Sequence, residues 1–131
     1  MKTKNKVIVV SGAGSGIGRH LVSALLNNGA KVAGIDLREE TLEETKKLLP
    51  DDQKSSFSTH VCDISDQNKV EALPDQIISQ HGAVDGLINN AGIIQPFVKV
   101  NDLDYKTIEK VMKVTFYGTL YMTKSFLPHL L

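Results

Sequence analysis

A β-branched run leads directly into a glycine-rich segment near the start of this 131-residue chain, and few folds accommodate that pair. Residues 6–10 (KVIVV) predict a strand that is buried on both faces, as in a parallel sheet. The segment 11–18 (SGAGSGIG) then interrupts it. Apolar residues at helical spacing follow from Ile17, and Gly29 is placed to end that helix in a left-handed cap. The chain therefore opens with a strand, a glycine turn and a helix.

The same alternation of strand and helix continues to the end of the chain. We predict further strands over residues 31–35, 57–61 and 84–88. Helices are predicted over 39–49, around 70–78 and over 108–126, where the apolar stripe comprises Ile108, Val111, Met112, Thr115, Thr119, Met122 and Phe126. Pro74 should kink the third helix or mark its first turn. The order favours an α/β fold with a doubly wound parallel sheet, strand order 3-2-1-4, and a ligand crevice between the first and fourth strands.

Composition excludes several classes of function. Fifteen Lys plus Arg balance fifteen Asp plus Glu, so no basic field is available and we expect no nucleic-acid partner. Cys62 is the only cysteine, which rules out an internal disulfide and makes the cytoplasm the simplest location. No His or Cys cluster has metal-ligand spacing. The apolar run at 7–10 is too short to span a membrane, so we expect no membrane partner.

The glycine turn is suited to an anion. Its spacing fails G-x-G-x-x-G and lacks the Gly-Lys-Ser/Thr ending of a Walker loop, but Gly12, Gly16 and Gly18 match G-x-x-x-G-x-G. Small residues leave backbone N–H groups open at the positive end of a helix, where a pyrophosphate binds well. Ser15 could add a hydroxyl donor. The alternative is a glycine-rich turn that holds no ligand.

Asp36 lies 18 residues after Gly18, near the distance at which an acid meets the ribose of an adenine dinucleotide. Its carboxylate can accept both ribose hydroxyls. A 2′-phosphate at roughly 4 Å would instead face a repulsion of about 4 kcal/mol per charge pair before screening. We therefore expect NAD rather than NADP. Two alternatives stay open: Arg38 could favour a phosphate, and Asp36 could be only a surface residue at a strand end.

Four motifs together resemble the short-chain dehydrogenase/reductase family: the glycine turn, Asp36, Cys62-Asp63-Ile64, and Asn89-Asn-Ala-Gly92. The likeness covers the whole chain and implies a Rossmann-like NAD(P)-binding domain over residues 1–131. It implies that Gly12, Ser15, Gly16, Ile17 and Gly18 hold the pyrophosphate, that Asp36 and Leu37 contact the ribose, that Asp63 and Ile64 contact the adenine, and that Asn90, Ala91 and Gly92 line the crevice.

Some of these residues also have a structural interpretation. Asn89 and Asn90 could equally brace neighbouring strands through backbone hydrogen bonds. Asp63 could be a loop acid, or a helix-entry carboxylate near Ser65. The family usually has Asn at the position of Thr115, so either its proton relay is altered here or this residue only packs.

The resemblance implies hydride transfer between a nicotinamide and a carbonyl or alcohol, with Tyr and Lys in a Y-x-x-x-K motif and a Ser upstream. None of Tyr105, Tyr117 and Tyr121 is followed by Lys four residues later, so we assign no catalytic residue. We expect the family's catalytic part to lie beyond the fourth helix, outside this chain.

Two functions follow from these residues. The first is the cofactor-binding half of a short-chain oxidoreductase acting on a small carbonyl or alcohol, inactive alone and prone to form homo-oligomers through an edge strand and a half-covered last helix. The alternative is a non-catalytic NAD(H)-binding regulatory or interaction protein.

Overall fold

Four parallel strands form one sheet in the order β3-β2-β1-β4, as the alternation predicted. The computed structural model describes residues 2–131, and its strands are β1 (Val7–Ser11), β2 (Lys31–Asp36), β3 (Phe57–Val61) and β4 (Gly86–Ile88). Because β2 and β4 lie on opposite sides of β1, the winding direction reverses between β1 and β4.

The fourth strand is shorter than the predicted range 84–88. Asp85 precedes it, and its Oδ2 accepts the N–H of Val7 at 2.8 Å, while its own N–H donates to the carbonyl of Val7. The side chain therefore replaces one ladder bond, and regular pairing begins only where Gly86 faces Ile8.

Helices connect the strands and flank the sheet. They are α1 (Gly16–Asn27), α2 (Glu39–Lys47), α3 (Asp51–Lys54), α4 (Gln67–Glu71), α5 (Leu73–His81), α6 (Tyr105–Val111) and α7 (Thr119–Leu130), with a 3-10 turn at Val100–Asp102 and a π-helical segment at Met112–Gly118. In the described residues 2–131 no helix has both the length and the apolar character needed to cross a membrane.

Two of the predicted helices differ from the prediction: one is shorter and the other is divided. The helix expected over 39–49 ends at Lys47, and Pro50 then begins the short α3. The helix expected around 70–78 is two helices, and Pro74 lies in the first turn of the second, where its missing N–H costs no hydrogen bond. Gly82, with φ of 85°, ends α5 in the left-handed conformation.

Two apolar clusters pack on opposite faces of the sheet, so β1 is buried on both sides as predicted. On one face, Ile8 and Val10 pack with residues of α1 and α2, among them Val22, Leu26 and Leu42. On the other face, Val7 and Val9 pack with residues of the later helices, among them Val70, Leu73, Ile77, Met122 and Phe126. These clusters hold the ends of β1 and β4 in place.

Only the carboxyl-terminal half of the predicted stripe on the last helix is buried. Met122 and Phe126 are fully buried, whereas Ile108 and Met112 are 37% and 46% exposed. The buried or half-buried residues follow helical spacing through Val111, Val114 and Gly118 to Met122, so the inward face is displaced from Ile108 and Met112. An apolar face is left exposed on this helix, formed by Ile108, Met112, Phe116, Tyr117, Leu120 and Leu127.

Candidate functional site

One cavity of about 480 Å³ opens where the winding reverses, at the carboxyl ends of β1, β2 and β4. That volume is in the range of small-molecule sites. Eleven of the twelve residues predicted from the sequence line it: Gly12, Ser15, Gly16, Ile17, Asp36, Leu37, Asp63, Ile64, Asn90, Ala91 and Gly92. Gly18, the twelfth, is buried beneath the glycine turn.

The inner half of the glycine turn is held by the protein itself. Ala13 donates its N–H to a carbonyl of β2 at 3.0 Å, and its own carbonyl accepts the Thr45 hydroxyl at 2.9 Å. Gly14 donates its N–H to Asp36 Oδ2 at 2.9 Å, and its carbonyl accepts from Arg19. All four backbone polar groups of these two residues are therefore paired within the fold, and none is available to a ligand.

The backbone N–H groups in the outer half of the turn differ, because none of those of Ser15, Gly16 and Ile17 is paired with a group of the fold in residues 2–131. Ser15 occupies the N-cap of α1 with its side chain making no capping hydrogen bond, and the first turn of α1 has no acidic residue. The first N–H groups of a helix have no partner within the helix and carry partial positive charge. Gly16 and Ile17 are exposed at this point and line the cavity. The start of α1 is thus open to the cavity, and a helix start of this kind is suited to an anion.

Glycine is required at two positions because the turn packs closely on the next strand end. A Cβ at Gly18 would overlap the carbonyl of Gly12 and lie 2.7 Å from Asn90 Nδ2. Gly12 has φ of 73°, and a Cβ there would lie 2.8 Å from the same nitrogen. Asn90 therefore packs against the turn with no room for a side chain between them.

The Asp36 carboxylate is oriented by two backbone donors. Its Oδ2 accepts from Gly14 and its Oδ1 accepts the N–H of Leu37 at 2.7 Å. Each carboxylate oxygen can accept more than one hydrogen bond, so acceptor capacity remains for a ligand in the cavity. Arg38 lines the same cavity, so both residues weighed in the choice between NAD and NADP lie at the predicted ribose position.

Asp63 lies across the cavity and forms a local turn. Its Oδ1 accepts from the backbone N–H of Ser65 at 3.0 Å and from the Ser65 hydroxyl at 2.7 Å. The N-cap of α4 is Asp66, whose side chain accepts from Lys69, so Asp63 itself does not cap this helix. Ile64 beside it is buried.

Both asparagines after β4 make hydrogen bonds within the fold, but only Asn90 bonds the backbone of a neighbouring strand end, as the structural interpretation predicted. Asn90 Nδ2 donates to the carbonyls of Ser11 and Gly12 at 3.2 and 3.3 Å. The Ser11 hydroxyl in turn accepts the N–H groups of Asn90 and Ala91, both at 3.1 Å. Asn89 donates to the Thr123 hydroxyl of α7 at 3.1 Å. These bonds join the two strand ends that border the cavity.

Six cavity residues were not among the predicted site residues: Ile35, Arg38, Cys62, Ile93, Lys110 and Val114. Lys110 and Val114 are four residues apart and thus share one face of the last helix, which is the only local signal they carry. Thr115 fixes the neighbouring loop, because its Oγ1 donates to the carbonyl of Ile93 at 3.0 Å and accepts the Ile93 N–H at 3.1 Å.

Cys62 contributes a neutral thiol to the cavity wall. Burial, with a smaller contribution from the charge of Asp63, raises the pKa of its thiol to about 11. A thiol that stays protonated at neutral pH is a poor nucleophile and a poor metal ligand. Across residues 2–131, no group of three or more His, Cys, Asp or Glu side chains is placed to hold a metal ion.

The family model described as short chain dehydrogenase matches residues 6–131. An uncharacterized oxidoreductase of Bacillus subtilis (strain 168), YxbG, is 33% identical over 130 residues, which are 99% of this chain and 47% of that protein. A 3-ketoacyl-(acyl-carrier-protein) reductase of Brucella melitensis, solved in complex with NADH, superposes with a TM-score of 0.89 at 28% identity, over 96% of this chain and 50% of that one.

An NAD+-bound xylitol dehydrogenase superposes with a TM-score of 0.90 at 26% identity, over 99% of this chain and 50% of that one. The chain therefore spans about half the length of the proteins that it matches. With the family match over nearly its whole length, the chain belongs to the short-chain dehydrogenase family.

Proposed function

We propose that this chain is the NAD-binding part of an oxidoreductase that transfers a hydride between a nicotinamide and a small carbonyl or alcohol substrate. One observation carries the proposal: a single cavity contains both the open start of α1 and the oriented carboxylate of Asp36. A dinucleotide needs these two sites together, because its pyrophosphate is an anion and its adenosine ribose presents two hydroxyl donors. The NADH-bound and NAD+-bound relatives support the same cofactor.

The residues present fit that cofactor. The start of α1 would bind the pyrophosphate through Ser15, Gly16 and Ile17, and Gly12 and Gly18 permit the close packing that shapes this turn. Asp36 and Leu37 would bind the ribose. The adenine would contact Asp63 through its amino group and the backbone N–H of Ile64, and Asn90, Ala91 and Gly92 would border the remainder of the cofactor. Once bound, the nicotinamide gives or accepts the hydride.

We propose NAD in preference to NADP because Asp36 would repel a 2′-phosphate. Arg38 also lines the cavity, but it is an exposed residue. The Asp36 carboxylate, in contrast, accepts hydrogen bonds from the backbone of Gly14 and Leu37. A fixed charge discriminates better than a mobile one, since no side-chain freedom is lost when the ligand arrives.

The chain is proposed to be inactive by itself. The family mechanism needs a Tyr and a Lys four residues apart, and none of the three tyrosines has that neighbour. Proton transfer and substrate selection would then come from a further part of the protein. Self-association is proposed through the exposed face of the last helix, where Phe116 and Leu120 are 55% and 41% exposed. The lone Cys62 supports a cytoplasmic location.

Calorimetric titration with NAD and NADP tests the cofactor proposal. We expect NAD to bind at least tenfold more tightly than NADP, and the Asp36→Ser variant to lose most of that difference. Asp75→Ser is the matched control, because it removes one exposed carboxylate of α5 outside the cavity. Tighter binding of NADP, or an unchanged ratio in Asp36→Ser, would contradict the assignment of Asp36.

Two further measurements test the proposed inactivity and separate the oxidoreductase from the non-catalytic alternative. NADH oxidation by the 131-residue chain with a panel of small ketones should not exceed the rate without protein, and measurable reduction would contradict the proposed inactivity. The second measurement is the sequence of the gene after the codon of Leu131. A downstream Ser and a Y-x-x-x-K motif would support the oxidoreductase, and a stop codon would support an NAD(H)-binding regulatory protein.

A further inference from the structure

Arg19 lies just after the glycine turn but does not line the cavity. Its side chain, 24% exposed, extends towards α2 instead. Nε donates to Thr45 Oγ1 at 3.0 Å, and Nη2 donates to the carbonyl of Gly14 and to Glu44 Oε2 at 3.1 Å. The guanidinium thus joins the turn to α2 through three acceptors, which its fixed planar fork reaches from two separate nitrogens, whereas an ammonium has all its donors on one atom.

Thr45 completes the connection from the side of α2. Thr45 is 1% exposed, and its hydroxyl accepts from Arg19 while its one hydrogen has the carbonyl of Ala13 at 2.9 Å and that of Thr41 at 3.1 Å as acceptors. Ala13 is fully buried, so water cannot replace the hydroxyl if it is removed. This buried hydroxyl is both a hydrogen-bond donor and an acceptor. Valine has nearly the same shape as threonine but can neither donate nor accept a hydrogen bond.

These bonds continue to the carboxylate proposed to select the cofactor. Arg19 holds the carbonyl of Gly14, and the N–H of Gly14 holds Asp36 Oδ2. We propose that Arg19 and Thr45 are positioning residues that set both the glycine turn and the Asp36 carboxylate, and thereby the preference for NAD over NADP. This inference rests on the proposed function, because it concerns how the same cavity recognises its cofactor.

Loss of the Arg19 or Thr45 hydrogen bonds should change the two dinucleotide affinities unequally, which a general loss of stability would not do. If Asp36 is no longer held, NAD loses well-placed acceptors for its ribose hydroxyls, whereas NADP loses part of a repulsion. The affinity for NAD should therefore fall more than the affinity for NADP. A merely structural role would weaken both dinucleotides by the same factor.

The test compares Thr45→Val, Thr45→Ser and Arg19→Lys in the 131-residue chain by titration with NAD and NADP, with the Tm recorded for each. We expect Thr45→Val and Arg19→Lys to raise the Kd for NAD about fivefold, the fold-change of one neutral hydrogen bond, and to reduce the ratio of the two Kd values. Thr45→Ser keeps the hydroxyl and should restore both quantities. Thr59→Val is the matched control, because Thr59 lies on β3 outside the cavity.

A second readout needs no nucleotide. In the free protein, the amide hydrogen of Gly14 should exchange faster in Thr45→Val than in the wild type, because the turn that presents it to Asp36 is loosened. Unchanged exchange, or equal weakening of NAD and NADP, overturns the positioning role. If the wild type binds neither nucleotide, the proposed function is wrong, and the exchange rate still decides whether Thr45 and Arg19 hold the turn.

Discussion

Ser11→Ala should separate the two strand ends that border the cavity. The Ser11 side chain is almost completely buried at the end of β1, and its hydroxyl accepts the N–H groups of Asn90 and Ala91 at 3.1 Å each. Alanine removes one acceptor and leaves two backbone donors. With each hydrogen bond contributing about 0.5–1.5 kcal/mol net, the free energy of unfolding should fall by about 1–3 kcal/mol. Asn90 and Ala91 are only half-buried, so water entry favours the lower part of that range.

Urea unfolding followed by circular dichroism measures this loss, and the m-value should stay unchanged because the folded core is retained. Ser79→Ala is the matched control: Ser79 is an exposed residue of α5, where alanine should change stability by less than about 0.5 kcal/mol. NAD titration of Ser11→Ala should also show weaker binding. A loss of stability no larger than that of Ser79→Ala would refute the idea that this hydroxyl joins the two walls.

Further predictions concern the turn, the histidines and the thiol. Gly18→Ala should destabilise the fold by about 3 kcal/mol, since its Cβ overlaps a backbone carbonyl, whereas Gly16→Ala meets no atom and should cost only about 1–2 kcal/mol for its φ of 53°; urea unfolding compares them. Burial lowers the pKa values of His60 and His81, so the unfolded chain binds more protons at acidic pH; stability should be full above about pH 6.5 and fall below it, as unfolding at pH 7.5 and 5.5 would show. With a pKa of about 11, Cys62 has about one thiolate per thousand thiols at pH 8, and should react with a thiol reagent far more slowly when folded than in urea.

Local sequence patterns predicted those structural features that depend on residues close together in the chain. The segment 11–18, the β-branched run before it and the left-handed Gly82 depend on residue type and short-range geometry. The order of strands followed from alternation together with the handedness of crossovers, and the site followed from that order. That these residues bind NAD remains a prediction.

Errors arose where the outcome depends on distant residues. The apolar stripe of the last helix was predicted to include Ile108 and Met112, which are exposed, whereas Val114 and Gly118 in the π-helical segment Met112–Gly118 face the interior. Gly118 lies within this segment, where a Cβ would come 2.8 Å from side-chain atoms of Ile64. No local pattern in the helix could have revealed a contact with a residue 54 positions earlier.

The amino-acid sequence alone thus established the fold class, the family resemblance and the residues around the cavity. The folded structure decided which partner each polar group takes, as with Thr45 for Ala13 and the backbone after β4 for Ser11. The physical reason is that a hydrogen bond depends on the position of two groups to within a few tenths of an ångström. Residues about 30 to 80 positions apart reach that geometry only when the whole sheet is assembled.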